Sequence, residues 1–490
     1  MTTHSPSPDI PAPMAADGAT WGELLSGRNG LRAVALTGGV ALHAINVHIV
    51  TTILPSVVRD IGGLDYYAWN VTLFVVTSII GSTLTNKLLA ALGARRTYLL
   101  GLAVFAAGAL VCALAGSMMQ MLAGRAVQGV GGGLLAGLGY ALIPLVFEQR
   151  LWSRAIALES GMWGISTLLG PAVGGLFAAS GHWRLAFWAL VPLLLLQAAL
   201  VSAQLGPRSV KKVDGGQGAM PFGRILLLAA SVLLMALAAQ ADAGWLAAAG
   251  VAGGVALGLL VARIDLRHRV SLLPRSGYAL DTVMGKVFAC VSLLVIGSCT
   301  EIFVPYFLQT LHGYQPLAAG YMTAAMAGGW SVASLFSSGR AGAAADRMVR
   351  IGPMLMTLGL IVLAVLLPAR WVDAGVMVDA ALVLALAAAG AGIGLGWPHL
   401  IERAMRAASP GEENLTSAAI TTVQLYAMAV GAALVGLTAN EAGLTSPGGI
   451  VGAQDAAMVL FAVFAIAPAL AVQLARRLSC RLSCRLPRTH

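Results

Sequence analysis

From residue 33 onward the chain is a succession of apolar runs separated by short polar breaks. Each run is close to the roughly 20 residues that a helix needs to cross a 30 Å hydrocarbon core. Fourteen such runs fall near 33–57, 68–91, 97–117, 119–144, 155–180, 184–205, 223–241, 244–262, 284–310, 315–337, 351–369, 379–398, 415–440 and 454–475. Several stretches, such as Leu185 to Pro207 and Leu415 to Asn440, contain no Asp, Glu, Lys or Arg. Backbone groups in hydrocarbon must be hydrogen-bonded within their own segment, so runs of this length predict helices. Strands of a membrane barrel would be about 10 residues of alternating polarity, a pattern absent here.

Composition narrows the class. Apolar side chains make up 58% of the 490 residues and charged ones 10%, with 59 Gly and a mean hydropathy of +0.84. Soluble domains carry about 25% charged residues. An all-α polytopic membrane protein is expected, and soluble enzymes, secreted disulfide scaffolds and nucleic-acid binders are excluded. The net charge of +10 is spread over short clusters between apolar runs, the pattern of topology determinants. Cys112, Cys290 and Cys299 sit in apolar runs and Cys480 and Cys484 in a basic tail, too scattered for a disulfide framework.

An even number of spans puts both termini on one side. Of the 30 Lys and Arg, only Arg59, Arg184 and Arg370 fall on one side and Arg125 inside a span, so both termini are expected to be cytoplasmic. Residues 1–30, rich in Pro, Ser and Ala, are expected to form a flexible cytoplasmic tail, and the first apolar run is too long and late for a cleaved signal. The C-terminal ARRLSCRLSCRLPR is a basic segment suited to an anionic inner leaflet, with lipidation of its cysteines as the alternative. His182 and His268 stand isolated in loops, and no metal-ligand cluster, nucleophile triad or phosphate loop occurs, so neither cofactor nor catalysis is expected.

Several motifs carry a resemblance. The loop Asn86-Lys-Leu-Leu-Ala90-Ala-Leu-Gly93-Ala-Arg95-Arg96 follows the second run, and Gly342-Ala-Ala-Ala-Asp346-Arg347-Met-Val-Arg350 follows the tenth. Each resembles half of the major facilitator loop signature G-x-L-a-D-R-x-G-R-R. The first has Ala90 where the acid belongs, and the second has Val349 for the second Gly. Arg125-Ala-Val-Gln128-Gly129-Val-Gly131 in the fourth run resembles the R-x-x-Q-G-x-G signature of the same superfamily. Gly161 to Gly164, then Gly170-Pro171-Ala-Val-Gly174-Gly175, resembles the antiporter signature G-x-x-x-G-P-x-x-G-G, and Trp183-Arg184-Leu-Ala-Phe187-Trp188 matches W-R-x-x-F-W. Pro305-Tyr306-Phe307-Leu-Gln309…Gly313-Tyr-Gln-Pro316 is similar to P-x-Y-L-Q…G-x-x-P, with Phe307 for the Tyr.

Nearly the whole chain thus resembles the fourteen-span drug:proton antiporter group of the major facilitator superfamily. The resemblance implies a major facilitator fold: an N-terminal six-helix half at 31–206, a linker and two inserted helices at 207–275, a C-terminal six-helix half at 276–475 and a tail at 476–490. It also implies export of a lipophilic or cationic small molecule across a bacterial inner membrane, by proton antiport with alternating access. The partners are then the substrate, protons and the bilayer, with the monomer as working unit. The alternatives are an exporter of an endogenous metabolite, lipid or siderophore, an importer, or a transport-dead sensor or scaffold.

Members of this group carry an Asp in the first span; here Asn46 stands at that position, in His43-Ala-Ile-Asn46-Val-His48. Asn46 hydrogen-bonds but does not titrate. His43 lies three residues before Asn46 and shares its face, whereas His48 is about 200° away. His43 either faces a cavity or is satisfied by a neighbouring helix; His48 is expected to be structural. Two carboxylates remain within spans. Glu301 has long apolar runs on both sides, which makes it a candidate proton carrier. Glu159 either shares that role or pairs with Arg150 or Arg154. Arg125 within an apolar run costs about 2.5 to 3.5 kcal/mol and should face a cavity or partner, or else snorkel to the outer interface; Gln128 shares its face. The cavity candidates are Asn46, Gln128, Tyr140, Trp163, Tyr306, Gln309, Tyr321, Trp330, Gln424 and Tyr426.

Overall fold

A computed structural model describes residues 21–148, 151–205, 222–241, 244–268, 271–369, 375–409 and 412–483. Its regular structure is helical, with no strand among the described residues. The first bundle comprises α1 (Trp21–Leu25), α2 (Gly27–Ile61), α3 (Trp69–Leu92), α4 (Ala94–Ala113), α5 (Met118–Val146), α6 (Trp152–Ala179), α7 (Arg184–Trp188) and α8 (Leu190–Gln204). An inserted pair follows, α9 (Phe222–Ala238) and α10 (Gly244–Arg267). The second bundle holds α11 (Val283–Ser298), α12 (Val304–Leu311), α13 (Pro316–Ser338), α14 (Gly342–Leu366), α15 (Gly375–Arg406), α16 (Glu413–Glu441), α17 (Gly449–Phe464) and α18 (Ile466–Ser483).

Among the described residues, eleven helical segments are long and apolar enough to cross a membrane. The expected fifth span is the continuous helix α6, within which Gly164–Ala179 is an apolar described stretch, the seventh is represented by Phe222–Ala238, and the tenth, α13, is diluted by Gly, Ser and Thr. The flexible tail expected at 1–30 is not found over its described part, Trp21–Leu25 and Gly27 onward being helical. Residues 1–20 lie outside the described part, but α1 and the start of α2 are helical, with Leu24 buried and Arg154 stacked 5.5 Å over the Trp21 ring. The C-terminal segment continues α18 to Ser483, and Cys480 and Cys484 lie beyond the described side chains.

Two spans are broken for a backbone reason. Pro305 has no N–H to donate to the carbonyl of Glu301, so the ninth span passes through a 3-10 turn, Cys299–Phe303, in which the Val304 N–H bonds to Glu301 instead. The fourteenth bends at Ala465 between α17 and α18, where Pro468 likewise cannot bond to Phe464. The bundles meet along two seams, α6 against α13 and α3 against α16, and α9 lies against both α3 and α16.

The inserted pair is anchored by one carboxylate. Asp265, fully buried, pairs with Arg224 and accepts from the Leu272 N–H at 2.8 Å and the Tyr278 hydroxyl at 2.7 Å. That fixes the segment leading into α11. Burial and the adjacent Asp265 charge push the Tyr278 hydroxyl well above the usual phenol range, so it stays a donor.

Candidate functional site

The centre of the first bundle is polar. Arg125 is 1% exposed; its Nε donates to the Asn70 carbonyl at 3.1 Å, its Nη1 donates to Gln128 Oε1, and its guanidinium lies 4.1 Å over the Phe74 ring. Gln128 Nε2 donates to Asn46 Oδ1 at 3.1 Å. This continuous α5 to α2 chain excludes the alternative of Arg125 snorkelling to the interface. Among the described residues no carboxylate touches Arg125, and the cation is held there by dipoles and a ring face. Asn46 Nδ2 and Asn70 Oδ1 are buried without a hydrogen-bond partner.

The His43 ring lies 5.1 Å from that of Phe74, inside the network, and a Cβ on Gly132 would stand 2.6 Å from its Nδ1. His48 Nε2 is 3.3 Å from Thr167 Oγ1, so His48 joins α2 to α6. Glu159 is fully buried, and neither carboxylate oxygen has a hydrogen-bond partner. The expected pairing with Arg154 is not made, since Arg154 stacks on Trp21; Arg150 lies outside the described residues. Beside Glu159, the Tyr98 hydroxyl donates to the Leu36 carbonyl at 2.9 Å and accepts from the Gly39 N–H at 2.9 Å, while Gln197 Nε2 reaches the Ala35 carbonyl at 2.7 Å. Gly38 and Gly39 make room for both side chains against α2.

The glycine-proline motif of α6 lies where three helices meet. A Cβ on Gly170 would stand 2.3 Å from His48 Cβ, and one on Gly174 2.9 Å from the Ile49 carbonyl, both on α2. One on Gly175 would stand 2.6 Å from Leu317 Cα on α13, and Pro171 faces Gly320. Further along α6 the seam widens: Gly164 finds only Ser331 Oγ, at 4.0 Å, and Gly161 has no described atom within 4 Å. The tight end also carries Arg59 Nη2 donating to Gln309 Oε1 at 3.2 Å, Asn440 Nδ2 donating to the Asp65 carbonyl at 3.1 Å, and Tyr67 stacked on Phe303 at 4.6 Å. The bundles are therefore joined at the Asp65 end and splayed toward the end that carries the basic loops.

In the second bundle Glu301 sits in the 3-10 turn, partly exposed, with Cys299 beside it and no hydrogen bond to its carboxylate. Tyr306 stands edge-on to Tyr67 at 5.5 Å. Trp330 on α13 meets Trp397 on α15 edge to face at 5.1 Å. Trp397 was not among the sequence candidates; the Gly396-Trp397-Pro398 setting in an otherwise small-residue run was its available signal. Other candidates are dispersed. Tyr140 and Tyr321 are 48% and 44% exposed, Gln424 is half-buried, and the Tyr426 hydroxyl turns to Ser231 of the inserted pair at 3.0 Å. Trp163 lies on α6, but its side chain is outside the described ones.

The two basic loops differ as the sequence implies. Gly93 (φ 79°) ends α3 and Gly342 (φ 54°) opens α14, both in a left-handed backbone that glycine favours. Asp346 pairs with Arg403 of α15, and Arg347 is exposed. Arg95 and Arg96 of the first loop have no acid in contact among the described residues, consistent with Ala90 at the acid's place.

Comparison with known proteins agrees with this architecture. A "probable multidrug-efflux transporter" of Mycobacterium tuberculosis H37Rv is 40% identical over 468 residues, 93% of this chain and 96% of that one. An "uncharacterized transporter" of Escherichia coli K12, YebQ, is 26% identical over 414 residues, 83% of this chain and 88% of its own. Among solved structures, a bacterial homolog of the human lysosomal transporter Spinster matches with a TM-score of 0.60 at 13% identity, covering 94% of this chain and 99% of that one. A POT family transporter matches with a TM-score of 0.64, also at 13% identity, over 92% and 96%. The profile of the Major Facilitator Superfamily matches residues 36–432. Two bundles meeting along a glycine-lined seam, with a buried Arg-Gln pair in the first, are thus those of a multi-pass transporter, and the chain belongs to the major facilitator superfamily.

Proposed function

We propose that this transporter exports lipophilic or cationic small molecules across a bacterial inner membrane in exchange for protons. The observation that carries the reading is the pairing of a splayed seam with carboxyl groups that lack partners. Glu159 is buried with neither oxygen hydrogen-bonded, and Glu301 sits unpaired at a helix break. A buried carboxylate without compensation is costly, so each is best accommodated with a proton on it. Loss of that proton when the seam opens to the other side would make occupancy by a cationic substrate the favourable exchange.

His43 and Arg125 complete the set of groups that respond to charge, with Arg125 setting the field across the first bundle. Rocking of the halves about the joined Asp65 end gives alternating access. The fourteen-span arrangement, with both termini cytoplasmic and the monomer as working unit, belongs to the same proposal. The 40% identical relative bears a multidrug-efflux description, which supports the substrate class and the direction.

The test is a pH gradient in energised inside-out vesicles, followed with a pH-sensitive dye while lipophilic cations and neutral drugs are added. Compound-dependent collapse of the gradient in wild type, absent in Glu301→Gln, is expected. No collapse with any compound would overturn proton-coupled drug export.

A further inference from the structure

A furrow of about 740 Å³ runs between α14 and the bent span α17–α18, helices that form neither seam. Ala364 and Ala465, both nearly buried, make its floor, and the exposed side chains of Ile361, Val365, Met458 and Ile466 make its walls. The lining passes from α17 to α18 at Ala465, over the bend that Pro468 imposes. Large apolar side chains exposed on a membrane-spanning bundle face lipid tails, which are as apolar as they are.

The furrow has the length of one leaflet. Along α14 and its last turn the lining runs from Thr357 to Pro368, about 16 Å at the rise of an α-helix, against half of a hydrocarbon core about 30 Å thick. Its two ends differ in chemistry. At the Thr357 end the hydroxyl is turned back on its own helix, donating to the Pro353 carbonyl at 2.8 Å, so the furrow there is apolar. The other end is level with the limits of the eleventh and fourteenth apolar runs and collects acceptors. Gln454 Nε2 donates to the Pro368 carbonyl at 2.9 Å, which leaves Gln454 Oε1 as an acceptor beside it. Asp455 is exposed and makes no hydrogen bond or ion pair among the described residues. No Lys, Arg or His is among the described residues of the lining; Arg370, next in sequence to Ala369, lies outside them.

We propose that this furrow is a lipid site, which seats one acyl chain of a phospholipid from the leaflet at the Asp65 end, with a primary-ammonium headgroup held by Asp455 and Gln454. A primary ammonium brings a charge and three N–H donors to a carboxylate and an amide oxygen. A trimethylated headgroup keeps the charge without the donors, and a glycerol headgroup has no cation to answer Asp455. The occupant is a lipid and not a transported amine because the furrow lies open to the bilayer along its length and apart from both seams. A seated chain braces the α17–α18 bend against α14. The site does not depend on what the protein transports.

The test follows the melting temperature of the full chain in detergent as phosphatidylethanolamine, phosphatidylcholine or phosphatidylglycerol with the same acyl chains is added. Phosphatidylethanolamine is expected to raise it by at least about 2 °C more than either of the others. Asp455→Asn should melt like wild type without lipid and lose that difference. Ala462→Trp, which fills the furrow from an exposed position, should lose it too, whereas Val332→Trp on the lipid-facing side of α13 should keep it. Equal responses of wild type to the three lipids, or a preference that survives in Asp455→Asn, would overturn the site. Dodecylamine acting as strongly as phosphatidylethanolamine would overturn the lipid as occupant and give the furrow to lipophilic amines. In proteoliposomes, phosphatidylethanolamine with a diazirine on one acyl chain should label 361–365 and 458–466. Labelling spread evenly over the lipid-facing helices would show ordinary boundary lipid and sink the proposal independently of any variant.

Discussion

The two halves of the transporter keep their charge in different places. The first bundle buries it: Arg125, Gln128, Asn46 and Asn70 form one chain at its centre, with His43 and Glu159 nearby. The second bundle buries no such chain: Lys286 and His399 lie apart, His399 against Ser337, while Glu301 sits at a helix break and Asp346 near a helix start beside Arg403. Buried dipoles around an unpaired cation hold one geometry, since every lost contact exposes a group that nothing else satisfies. An acid at a break in a helix has backbone freedom around it. The first half therefore reads as the rigid frame of the charge chemistry and the second as the part that changes shape.

Breaking the frame should have the largest effect. In Arg125→Met, Gln128 Oε1 and the Asn70 carbonyl lose their donor, at about 1–3 kcal/mol for each buried group left unsatisfied. A fall in transport of at least about tenfold and a lower melting temperature in detergent are expected. Arg125→Lys should not restore activity, because an ammonium cannot serve the carbonyl, the amide and the Phe74 ring in one plane. Full activity in the lysine variant would mean that only the charge matters.

Glu159→Leu separates stability from function in the same half. Both carboxylate oxygens lack partners, so an apolar replacement removes a desolvation cost and should leave the fold as stable or more stable by about 1–3 kcal/mol. Proton-driven uptake into inside-out vesicles should nevertheless be lost, while downhill substrate flux persists. A destabilised variant, by thermal unfolding in detergent, would show that Glu159 has a structural partner after all.

Much of this was legible in the sequence, and its limits have a physical origin. Apolar runs of spanning length identified the helices, and Arg125 and Gln128, three residues apart, declared a shared face. The Gly161 to Gly175 motif marked the helix that forms the seam. Orientation around each helix was not legible, because lipid and protein interior are both apolar and no polar stripe distinguishes them. Hence Tyr426 turned out to face the inserted pair, Tyr140 and Tyr321 proved exposed, and Trp397, Tyr98 and Gln197 went unremarked. The Asn70 carbonyl as a partner of Arg125 is a backbone contact, which no side-chain pattern encodes.

The seam offers a graded comparison of its own two ends. Gly170→Ala places a methyl 2.3 Å from His48 Cβ, and relief requires α2 and α6 to move apart. Overpacking of this kind costs about 1–3 kcal/mol, so a lower melting temperature and reduced transport are expected. Gly164→Ala, with Ser331 Oγ 4.0 Å away as its nearest neighbour, should be silent in both assays. Equal sensitivity at the two positions would mean that the open end closes tightly in the state that limits turnover.

The smallest effect is expected at the basic loops, where the halves differ by a single acid. The Arg403 and Asp346 side chains are only 13% and 20% exposed, so their pair is partly shielded from solvent, and Asp346→Asn, which keeps an acceptor but loses the charge, should cost about 1–2 kcal/mol in thermal unfolding. The converse substitution, Ala90→Asp, places an acid on an exposed position of the first loop, near Arg95 and Arg96 in sequence. An exposed pair of this kind contributes from about zero to 1 kcal/mol and weakens with salt. If Ala90→Asp instead slows transport several-fold at low salt and recovers at high salt, the added charge is latching the first half through its basic loop. The natural alanine would then be what keeps the rigid half free to rock.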